Sequence, residues 1–192
     1  MNQKTIGIIA LICSPFLAID LTIHGGFDDY NPSSIGGLFN LIYMTGWLLS
    51  VFFLYQKHSG ANKIVKTIFL IQIIFLALAE ISNVWLIIDP KPSNSIYTML
   101  DFFWPISNAF MFITGLAIVV SKKIGGWQRF VPLFVGFWLP TGLCVSLYLG
   151  RTPATVCFIS IYSAIAWSLL ALSVYSNRQL HKIDALQFTQ AA

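Results

Sequence analysis

The sequence predicts an all-α polytopic membrane protein, a six-transmembrane-helix bundle with its N-terminus and C-terminus cytoplasmic. Three observations lead there. Of the 192 residues, 57% are hydrophobic and 9% charged, whereas soluble domains carry roughly 25% charged residues to cover a water-facing surface. The apolar residues fall in long runs bounded by charge, Pro or Gly clusters, each near the roughly 20 residues that cross a bilayer as a helix. The basic residues, finally, are shared unequally between the two sets of loops. Mean hydropathy is +0.77, and spans of this length occupy the whole chain, so 1–192 is expected to form a single integral membrane domain.

The first run, 5–23, has the outline of a secretory signal, with Lys4 ahead of an apolar stretch. Cleavage needs small residues, and Phe16-Leu17-Ala18 places a bulky ring where one is required. Ile12 likewise stands where a lipoprotein box before Cys13 needs a small side chain. This run is therefore expected to remain as an uncleaved span. The second run, 35–55, follows the turn-rich HGGFDDYNPSS, and the third is 64–88. The fourth, fifth and sixth are 102–120, 127–149 and 153–175.

Orientation follows from the loops. Lys4, Lys57, Lys63, Lys66, Lys122, Lys123, Arg129, Arg178 and Lys182 fall on one side, and only Lys91 and Arg151 on the other. The basic side faces the cytoplasm, and the expected location is the cell membrane, multi-pass. The net charge of +4 thus marks orientation, and nucleic acid is not an expected partner. Membrane lipids are, and the basic tail after 175 is expected to rest on their anionic surface.

Charge inside a span costs free energy unless it faces protein or water, so an intramembrane acid marks a candidate site. Glu80 is that acid, inside the third run. At 1.5 Å per helical residue it lies about 12 Å below the outer end of its span. Tyr43 and Tyr162 come to a similar depth, Asn108 to about 9 Å and Asn40 to about 8 Å. Asp20 and Trp104 are shallower, and the inner half offers little comparable. Glu80 and Asn83 are i,i+3 and share a helix face. Asp101, Trp104 and Asn108 also share one, as do Asn40, Tyr43 and Trp47. Pro15, Pro105 and Pro140 interrupt the same half, and each is expected to bend its helix. The expected ligand-binding set is Glu80, Asn83, Tyr43, Asn40, Asn108, Trp104, Tyr162 and Asp20, with Glu80 as anchor. The competing reading is a clamp, in which Glu80 bonds Tyr or Asn across helices only to hold the bundle together.

Other features have plainer readings. His24 is expected to pair with Asp20 at i,i+4, and Asp28-Asp29 to be a solvated turn. Cys144 and Cys157 flank the turn at Gly150-Arg151 and are expected to be two buried thiols. Ser160, Ala164 and Ser168, with Gly46 and Ser50, form small-residue ridges that let helices approach closely. Trp85, Tyr97, Trp104 and Trp127 suit an interfacial belt. Phe39, Tyr43 and Trp47 loosely echo Phe158, Tyr162 and Trp167, too weakly to establish inverted halves.

No Cys/His cluster has metal-ligand spacing, and His24, His58 and His181 lie at or beyond span ends, where they cannot hold a haem inside the bundle. No span carries a Lys for a Schiff base. No G-x-S-x-G or H-E-x-x-H occurs, and no filter loop or ring of charge suggests a channel. No catalytic residue, metal or cofactor is therefore assigned. The expected function is binding or transport of a small ligand or lipid without covalent chemistry. The alternatives are a lipid-modifying enzyme using Glu80 as acid or base, and a non-catalytic subunit of a membrane assembly.

Overall fold

The computed structural model describes residues 2–24, 33–57, 63–122 and 124–176. The Asp28-Asp29 turn, His58, Lys123 and the tail with Arg178, His181 and Lys182 lie outside the described residues. Among those described there is no strand. The elements are α1 (Gln3–Cys13), α2 (Phe16–Ile23), α3 (Ser34–Lys57), α4 (Lys63–Ile88), α5 (Ser95–Asp101), α6 (Phe103–Ser121), a 3₁₀ turn (Gly126–Phe130), α7 (Val131–Gly136), α8 (Trp138–Leu149) and α9 (Pro153–Ser176). Five helical stretches are long and apolar enough to cross a membrane. The bent pair formed by 126–136 and α8 makes a sixth. The chain is a multi-pass membrane protein of helical-bundle architecture.

The breaks follow the prolines. A proline lacks the N–H that would bond the carbonyl four residues earlier. Before Pro140 that carbonyl belongs to Gly136, the last residue of α7, and α8 leaves at 46°. The fifth run is therefore two half-helices, with the bend that Pro140 leads one to expect. Before Pro105 the carbonyl is that of Asp101, where α5 ends. Helix here begins at Ser95, well ahead of the expected 102, because the Asn94 side chain caps it by accepting from the Ile96 N–H at 2.8 Å. Before Pro15 the carbonyl is that of Leu11, and the Ser14 hydroxyl donates to it at 2.8 Å. This replaces the lost bond at the α1–α2 break.

The six spans close into a ring. α3 packs on α4, α4 on α6, α6 on α7, α7 on α9, α9 on α1, and α1 on α3, while α3 also touches α9 across the middle. α4 shows how sequence dictates this. Phe69, Gln72, Leu76, Ala79, Asn83 and Leu86 recur every three or four residues and are buried. Leu70, Ile74, Ile81, Val84 and Ile88 on its other faces are exposed, as lipid-facing side chains are.

Glycines set the closest approaches. A Cβ on Gly115 of α6 would stand 2.4 Å from Leu133 Cα, and one on Gly136 of α7 the same distance from Phe112 Cα. Backbone meets backbone there, as small residues permit between membrane helices. Gly46 lies in the same way against Cys13 and Ala10, as the ridge in the second span predicts. The ridge on the sixth span faces α1 and α2, which both pack on α9. Ser168 meets Ser14 at 2.8 Å between hydroxyls, and Ser160 and Ala164 line a groove between α2 and α9.

Candidate functional site

Glu80 lies half-buried on α4 and faces α3. Its Oε1 accepts from the Thr45 hydroxyl at 2.5 Å. Its Oε2 is buried and has no hydrogen-bond partner among the described residues. One turn further out, the buried Asn83 amide donates to Met44 Sδ at 3.0 Å. Gly37 permits this close α3–α4 contact, since a Cβ there would already be 3.1 Å from the Ile87 nitrogen.

Tyr43, two residues before Thr45, turns inward to the axis of the ring and is fully buried. Its hydroxyl lies beside the Trp104 indole and the Asn108 amide of α6. Five rings from four helices form a continuous stack around it. Tyr43 and Trp47 of α3 meet Trp167 of α9 at 5.2 and 5.4 Å between centroids. Trp167 meets Trp138 of α8 at 5.5 Å, and Trp138 meets Trp104 at 5.9 Å. Most of these contacts are edge-to-face, the geometry that the ring quadrupoles favour.

Buried polar groups normally find partners, and one left without costs about 1–3 kcal/mol. Trp138 conforms, its Nε1 donating to the Ile159 carbonyl at 3.2 Å. The Tyr43 hydroxyl, Trp47 Nε1, Trp167 Nε1 and Asn108 Oδ1 are buried without a hydrogen-bond partner, as is Glu80 Oε2. These atoms comprise donors and acceptors, and four helices, α3, α4, α6 and α9, contribute them. A recess of about 210 Å³ is lined by Trp104, Trp138, Leu139, Gly142, Arg151 and Ile159, among others, and by none of the residues that carry these five atoms. It ends on two of the five stacked rings.

No family model, curated protein or solved structure matches this chain. The site's own chemistry must therefore carry any functional reading.

The eight residues singled out from sequence separate into three places. Glu80, Asn83, Tyr43, Asn108 and Trp104 converge between α3, α4 and α6. Asp20 and Asn40 form a second cluster nearer the outer end. Asn40 Nδ2 donates to Asp20 Oδ2 at 3.0 Å, and the expected Asp20–His24 pair is present at 2.9 Å. Ser33 continues this network, within 3.4 Å of His24 Nε2 and accepting from the Gly36 N–H. It ties the end of α2 to the start of α3. Tyr162 stands apart from both. Its hydroxyl donates to the Phe134 carbonyl at 2.9 Å and its ring packs on Phe134, so it fastens α9 to α7. Equal depth placed it with Glu80, but depth carries no information on which way around the helix a side chain points.

Sequence reasoning missed Thr45, Trp138 and Trp167 as members of the central group. It also missed Gln72, fully buried about 24 Å from the outer end of α4. Gln72 Nε2 donates to the Ser107 carbonyl at 3.2 Å, while its Oε1 and the Ser107 hydroxyl lack partners. Polar chemistry thus extends deeper than the outer half. The signal for Gln72 was present, because it shares the three-four spacing of Leu76, Ala79 and Asn83.

Proposed function

We propose that this protein binds, and carries within or across the cell membrane, a small amphiphilic or cationic molecule or a lipid. The site is the central group between α3, α4, α6 and α9, with Glu80 as its charged member and the five rings as its apolar wall. Binding is non-covalent. The observation that carries this reading is the set of buried polar atoms without partners, at Glu80, Tyr43, Trp47, Asn108 and Trp167. Interhelical packing alone gives no reason to keep them, because an apolar replacement would remove their cost. A ligand with one polar or cationic group would engage the carboxylate and the hydroxyl, and its apolar body would lie on the rings. The recess ending at Trp104 and Trp138 offers a way in. Its volume, about 210 Å³, is below the range of drug-sized sites, about 300–1,000 Å³, which suits a small ligand or one segment of a longer one.

A second reading, a polar clamp, draws on the Thr45–Glu80, Asn83–Met44 and Gln72–Ser107 bonds. Mass spectrometry of wild type and Glu80→Gln in mild detergent separates the two. Ligand binding predicts a small molecule or specific lipid held by wild type and lost from a folded variant. If neither form carries one and the variant only melts earlier, the clamp is correct.

A further inference from the structure

A second recess lies on the outer wall of the ring and shares Arg151 with the first. It is a groove of about 790 Å³ between α2 and α9. Ala18, Ile19 and Ile23 line one side and Val156, Ile161 and Ala164 the other, with Pro15 at one end and Arg151 and Thr152 at the other. It starts at Pro15, at the α1–α2 break. On the α1 side of Pro15 the two spans are in tight contact, through the Ser14–Ser168 hydroxyl pair and through Gly7 set against Tyr175. Beyond Pro15 α2 still packs on α9, and the small side chains of Ser160 and Ala164 leave a groove along the outer side of that seam.

We propose that this groove binds a phospholipid of the leaflet at that end, with its anionic phosphate at Arg151 and one acyl chain lying along the groove. Two independent features fit that occupant. The first is length. From Pro153 to Ala164 is 11 residue steps, about 17 Å of helix. One leaflet supplies about half of a hydrocarbon core roughly 30 Å thick, or about 15 Å. The groove therefore runs the depth of a single leaflet. The second is charge. The described residues at this end include two cations, Arg151 and Lys91, and Arg151 is the one at the mouth of the groove. Arg151 stands two residues before the first residue of α9, a helix of 24 residues whose dipole adds positive potential there. A guanidinium suits phosphate because its planar N–H groups match the phosphate oxygens in pairs. Two hydroxyls of the groove are already engaged. Thr22 donates to the Ala18 carbonyl, and Thr152 accepts from the Thr155 N–H that begins α9. Ser160, buried and without a hydrogen-bond partner, adds one donor to the wall.

The chain carries its own reporter. Cys157 and Cys144 are both exposed, not buried as the sequence suggested; Cys157 lines the groove, whereas Cys144, on α8, does not. Delipidated full-length protein in detergent would be alkylated with a small apolar maleimide while dioleoyl phosphatidylglycerol is titrated in. The expected result is selective slowing at Cys157, with Cys144 as internal reference. In Arg151→Gln the lipid needed for half-protection should rise about fivefold, the weight of one basic residue at an anionic lipid surface. Dioleoylglycerol, which has the chains without the phosphate, should protect equally in both proteins. An unchanged ratio of Cys157 to Cys144 rates across the titration overturns the proposal, and so does equal titration of wild type and Arg151→Gln. Protection that follows protein concentration and ignores added lipid assigns the groove to a second copy of the chain and overturns it as well.

Discussion

The Thr45 hydroxyl holds one oxygen of Glu80 at 2.5 Å, and the other oxygen is buried without a partner. Tyr43 repeats this asymmetry. Its ring is fixed by Trp47 and Trp167, while its hydroxyl stands beside Trp104 and Asn108 with no hydrogen bond made. Removing a buried hydroxyl that has no partner removes a cost of about 1–3 kcal/mol and leaves the ring packing intact. In ligand-free protein, Tyr43→Phe should therefore melt no lower than wild type, and by this measure be up to about 3 kcal/mol more stable. It should also retain less of any copurifying small molecule. Thermal melts with mass spectrometry of the same samples check both halves. A variant that melts several degrees lower would show the hydroxyl to be structural. The sequence made Tyr43 and Glu80 legible as polar groups at one depth. It did not make the Thr45 contact legible, because a threonine inside an apolar helix usually bonds its own backbone and carries no mark of a partner.

Among the elements, the α6–α7 hairpin is the most constrained. Gly115 and Gly136 each place their helix directly against backbone of the other, leaving no room for a methyl group. Gly115→Ala should destabilise by about 1–3 kcal/mol, the usual cost of overpacking. Gly136→Ala should do the same, and because the two sites share one contact the double variant should cost less than the sum. Denaturation of all three variants in detergent tests this, and strict additivity would argue that the contact is not shared. Each of the six helical segments was legible from hydropathy, yet the interruptions at Phe102 and Phe137 were not placed. The prolines announced that a bend would occur. Its position three residues earlier follows from which carbonyl each proline leaves unbonded, and the size of the bend depends on the neighbours that fill the gap.

At the scale of the whole molecule, charge and burial are organised along different axes. The described basic residues Lys4, Lys57, Lys63, Lys66, Lys122 and Arg129 belong to segments meeting at one end, with Lys91 and Arg151 at the opposite end. That distribution predicts that Ser93→Cys, in a background with Cys144 and Cys157 changed to Ala, is labelled by an impermeant thiol reagent on intact cells. Asn2→Cys should require permeabilisation, and the reverse pattern would invert the assigned orientation. Burial instead runs from the ring's axis to its rim, and this the sequence could not show. Hydropathy reports that a helix is in the membrane, but ring order depends on pairings such as Gly46 with Cys13 that leave no periodic trace.

Closure of that ring links the first span to the last. Gln3 donates to the Val174 carbonyl at 2.6 Å and Ser14 meets Ser168 at 2.8 Å, across most of the described chain. During synthesis the ribosome delivers α1 first and α9 last. For the interval between them, Gln3 and Ser14 lack these partners, and Tyr43 and Trp47 lack the ring of Trp167. A nascent chain stalled before residue 153 is thus an open arc with its aromatic interior turned toward lipid. The insertion machinery must shelter that interior until the final helix arrives.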